Sequence, residues 1–76
     1  MISERIYIKT IIYRQCKHIC EILKESNCTM RLESSRNIIS VNNIASLLDI
    51  ENGFYHIVIN GDNEKKVIEK IINILK

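Results

Sequence analysis

The chain has 76 residues, 46% of them hydrophobic and 26% charged, with a formal net charge of +2. That argues against a disordered chain, a multidomain protein and a strongly basic nucleic-acid binder. No run reaches the roughly 18 apolar residues of a transmembrane helix, and with no proline and two glycines the elements should be tightly connected.

Ile2 to Lys9 alternates, with Ile2, Glu4, Ile6 and Ile8 on one side and Ser3, Arg5, Tyr7 and Lys9 on the other. Period two with β-branched residues predicts a strand with one wet face. From about Tyr13 to Ser26 the period changes. Cys16, Ile19, Cys20, Ile22 and Leu23 form one stripe, so an amphipathic helix is predicted, ending near Asn27 because Asn tolerates the left-handed conformation. Cys28 to Glu33 alternates again, Ser34 to Asn37 is a polar turn, and Ile38 to Val41 completes a predicted hairpin. Asn42 and Asn43 are N-cap residues for a short helix over about Ile44 to Leu48. Phe54 to Asn60 reads as a strand with Tyr55, Ile57 and Ile59 inward. Gly61 to Glu64 opens a last helix striped by Val67, Ile68, Ile71, Ile72 and Leu75.

The order is β-α-β-β-α-β-α within a single domain, residues 1–76. It predicts an α+β two-layer open-faced sandwich: a four-stranded antiparallel sheet with helices on one face. The wet face should carry Tyr7, Lys9, Thr29, Arg31, Ser40 and His56.

Cys16, Cys20 and Cys28 are an odd number, without C-x-x-C or zinc-knuckle spacing. The charged start Met-Ile-Ser-Glu-Arg lacks a signal peptide's apolar run. A reducing cytosol with free, core-packed thiols is the expectation, Cys16 being the one whose helix-start position would lower its pKa. No phosphate loop, paired carboxylates, cofactor motif or metal cluster stands out, so an independent enzyme is not expected.

This pattern resembles the phosphocarrier HPr family of the bacterial sugar phosphotransferase system. The resemblance is clearest in Ser40 to Ile50 and in Gly61-Asp62-Asn63-Glu64 with the apolar-striped helix that follows, and Ile6-Tyr7-Ile8-Lys9 is similar to the family's first strand. The family's Gly-Leu-His-Ala-Arg-Pro motif falls on Tyr13, Arg14, Gln15, Cys16, Lys17 and His18. The phosphoacceptor histidine is therefore Gln15, the arginine is Lys17, and the serine that regulatory kinases modify falls at Asn43. An amide nitrogen is delocalised and not nucleophilic. The resemblance thus implies a domain unable to carry phosphoryl by the family's route.

In the family, partners dock on the starts of the first two helices. Here that surface would carry Gln15, Lys17, His18, Asn43, Ile44, Ala45 and Leu48. The expected partner is another protein, acidic and helical, including a phosphotransferase-system component. Nucleic acid, membrane and metal are not expected. Alternatively, Ile44 and Leu48 pack under their own helix. Two other readings stay open: a phosphocarrier using His18, displaced to the family position by a local gap, and a ferredoxin-like regulatory domain, distinguishable by strand order.

Overall fold

A computed structural model describes residues 1–76 in full. Its elements are β1 (Ile2–Ile8), α1 (Tyr13–Glu25), β2 (Cys28–Glu33), β3 (Ile38–Val41), α2 (Ala45–Leu48), β4 (Gly53–Gly61) and α3 (Glu64–Leu75). The four strands form one sheet in the order β1-β4-β2-β3, every neighbouring pair antiparallel. The fold is therefore the α+β sandwich that the alternations imply, with three helices on one face.

Strand parity decides which side chains meet the helices. Ile8, Cys28, Met30, Leu32, Val41, Tyr55, Ile57 and Ile59 are buried from the sheet side. Cys16, Ile19 and Leu23 of α1, Leu47 of α2, and Val67, Ile68, Ile71 and Ile72 of α3 meet them. No buried residue is polar or charged, and the fully buried side chains are almost all Ile and Leu. Burying each such side chain is worth about 1.5–3 kcal/mol.

The connections follow from local chemistry. Asn27 takes φ 54° after α1, as its position predicts. Asn43 Oδ1 accepts the Ser46 N–H at 3.1 Å and the Ser46 hydroxyl donates to the Asn43 carbonyl, so Asn43 caps the single turn of α2. At the start of α3 the N-cap Asn63 makes no side-chain cap bond. Asn63 itself is left-handed, φ 56°, and Glu64 reaches back to accept the Gly61 N–H at 3.2 Å. Gly61, at φ 142°, lies against the carbonyl of Asn27, where an added Cβ would come within 2.6 Å.

Val58 was not anticipated in the core. It points to the wet face yet is 6% exposed, flanked in register by Ser3 and Arg31. A central strand is shielded by its neighbours' longer side chains even on the side that faces water. No helix is long and apolar enough to cross a membrane.

Candidate functional site at the opening of the first helix

The first helix leaves its opening amides to find partners outside the helix, which is what makes a helix start attractive to anions. Cys16 N–H already bonds the Ile12 carbonyl, while the N–H groups of Tyr13, Arg14 and Gln15 meet no acceptor in the protein. The first turn carries no acid, and Arg14 and Lys17 add positive charge.

Gln15, the third residue of α1, is half-buried and has both ends of its amide engaged. Its Oε1 accepts the Ile12 N–H at 3.0 Å, and its Nε2 donates to the Ile74 carbonyl at 2.9 Å. One amide group thus satisfies an orphan donor at the start of α1 and a late carbonyl of α3. Ile12, at the N-cap, has no side-chain acceptor, so only Gln15 supplies a side-chain bond to this helix start.

His18 is exposed but is the sixth residue of α1, on the same face as Arg14 one turn earlier. It is not at the helix start. The free N–H groups belong to residues 13–15, and α1 begins at Tyr13. Lys17 is exposed beside it.

The α2 part of the surface divides. Asn43 is exposed and occupied as a cap, and Ala45 is exposed. Ile44 is half-buried and packs against the core, whereas Leu48 is 45% exposed. The apolar pair is therefore split, with Leu47 taking the core position. The two helices touch.

Two apolar residues of this region were missed in the sequence. Ile12 and Tyr13 are 56% and 59% exposed, while Ile11 is buried. The signal was three large apolar residues in a row, Ile11-Ile12-Tyr13, in a connection where one turn can bury only one of them.

The expectation of an acidic Cys16 is corrected. Cys16 is fully buried, and burial, with Cys20 nearby, pushes its thiol pKa up despite a hydrogen bond that opposes the shift. Burial also raises Cys20 and Cys28, the latter helped by Asp62 and Glu64. Cys28 Sγ donates to the Asp62 carbonyl at 3.1 Å. All three thiols are free. No group of three or more His, Cys, Asp or Glu side chains is placed to hold a metal ion.

Comparison of the chain with protein-family models and with curated proteins finds no match.

Proposed function

We propose that this chain is a cytosolic, HPr-like protein-binding or regulatory module that does not carry phosphoryl at the family's position. The observation that carries the reading is the Gln15 amide, bonded at one end to Ile12 and at the other to Ile74. A group held in this way, and not nucleophilic, leaves the opening turn of α1 as a recognition surface.

Further support comes from what surrounds that turn. Ile12, Tyr13 and Leu48 are exposed apolar side chains, and Arg14, Lys17 and His18 lie beside the first two on α1. Apolar anchors within a basic rim suit an acidic amphipathic helix of another protein: the anchors supply affinity and the charges supply steering. A phosphotransferase-system component is the first partner to try.

Against the His18 phosphocarrier stands its distance along α1 from the free amides of residues 13–15. Against the ferredoxin-like alternative stands the strand order. In the ferredoxin-like arrangement the first strand is interior, whereas β1 here lies at the edge.

The test is a titration of the labelled protein with the general phosphotransferase enzyme, read by amide chemical shifts. Shifts at residues 12–18 and 44–48 are expected, with binding weakened about tenfold by Leu48→Ala, which removes an apolar anchor, and association slowed by Lys17→Glu, which reverses a steering charge. Shifts confined to the sheet face would overturn the assignment of the surface.

A further inference from the structure

The face of the sheet turned away from the helices holds a cluster that the protein-binding reading does not use. Three of the four aromatic side chains, Tyr7, Tyr13 and Phe54, are exposed around an aliphatic core. Tyr7 and Phe54 are cross-strand neighbours on β1 and β4, edge to face, with ring centroids 5.0 Å apart. The Arg5 guanidinium carbon lies 4.3 Å from the Phe54 centroid. The chain's ion pairs are Met1–Glu64 and Arg31–Glu33, so Arg5 has no carboxylate partner. His56 stands between Arg5 and Glu33 in register.

A depression of about 450 Å³ opens beside this stack, lined by Arg5, Glu33, Ser34, Ser35, Phe54 and His56. Its size falls within the roughly 300–1,000 Å³ of small-ligand sites. Arg36 lines the adjoining depression, together with Ser34, Ser35 and Phe54. The Ser34 hydroxyl is occupied, accepting the N–H groups of Arg36 and Asn37, which leaves Ser35 as the hydroxyl with no protein partner.

We propose that this depression binds a nucleotide unit carrying a single phosphate. The base stacks on the guanidinium plane of Arg5, which Phe54 backs, and the phosphate lies within reach of Arg36 and the Ser35 hydroxyl. Arginine is suited to this double role because its flat, weakly hydrated cation stacks on π systems while its edge offers hydrogen-bond donors to phosphate. Backing by a ring holds that plane ready before the ligand arrives. Glu33 and Glu51 border the two depressions, which limits the site to low charge and disfavours a triphosphate. The mild net charge that argued against nucleic acid in the sequence concerns long phosphate tracks and does not bear on one such unit. This inference goes beyond the protein-binding reading and does not rest on it.

The experiment is a titration of the isotope-labelled full chain, read by amide shifts, with adenosine monophosphate, uridine monophosphate, a single-stranded uridine hexamer and inorganic phosphate. The expected result is movement of Arg5, Tyr7, Ser35, Phe54 and His56 with the nucleotides, and binding weakened at least fivefold by Phe54→Ala and by Arg5→Gln. Both positions are exposed, and unmoved core amides will show that each variant still folds. Tighter binding of the hexamer than of the monomers names a single strand as the source; equal binding names the free nucleotide. Three outcomes overturn the proposal: no shifts at millimolar ligand, equal shifts with phosphate alone, or full binding by Phe54→Ala.

Discussion

At the scale of single residues, Gln15 shows how far a sequence can be read. That an amide, which is not nucleophilic, stands at the third position of the first predicted helix is visible in the sequence. Where the amide goes is not, because its second partner, Ile74, lies 59 residues away and is reached only once α1 and α3 have packed. Gln15→Ala removes a helix-start bond and leaves the Ile74 carbonyl unpaired, so it should cost about 1–2 kcal/mol in denaturant unfolding. Gln15→Glu keeps the acceptor for Ile12 but loses the donor, and should fall in between. Gly61→Ala should be more severe. Its φ of 142° and the approach to the Asn27 carbonyl leave no room for a Cβ, and a loss of about 2 kcal/mol or more is expected from strain and overlap together. The cysteines set an alkaline limit. Their folded pKa values are raised above the ordinary 9.0, chiefly by burial. The fold therefore favours the protonated thiol: stability is unaffected well below 9.0 and is lost as pH rises past it towards the folded values. Denaturation midpoints, level near neutrality, should fall above that point, and by less in a Cys16→Val variant.

At the scale of elements, the strands were legible because a half-buried sheet imposes period two, and the two long helices because their stripes run at period 3.6. The short elements were legible in part. Asn43 announces α2, but nothing local tells that Leu47 enters the core while Leu48 stays out. Val58 was missed because its shielding comes from β1 and β2, which sequence order does not place beside it. β1 carries its own device. It is an edge strand, and Glu4 interrupts the Ile2, Ile6, Ile8 series on the helix-facing side while remaining exposed. A charge pointing inward on an edge strand discourages the addition of another chain. Glu4→Val should therefore raise self-association above that of the unaltered protein, measured by light scattering across a concentration series. An unchanged oligomeric state would remove that role from Glu4.

At the scale of the whole molecule, the sheet divides the surface in two. The helical side presents the opening of α1 with Ile12, Tyr13 and Arg14, and the turn of α2 with Leu48. The free side presents Arg5, Tyr7, Phe54 and His56. One small aliphatic core supports both, so a variant that loosens it will disturb both faces, and only surface substitutions can separate their roles. The central proposal concerns the helical side: that Gln15, whose amide links Ile12 to Ile74 at the start of α1, marks a surface that carries no phosphoryl group. It is tested most directly by incubating the protein with phosphoenolpyruvate and the general phosphotransferase enzyme and measuring its intact mass under conditions that preserve phosphohistidine. The expected result is a mass unchanged by the reaction. A gain of one phosphoryl group, mapped to His18 or to any residue of the α1 opening, would contradict it.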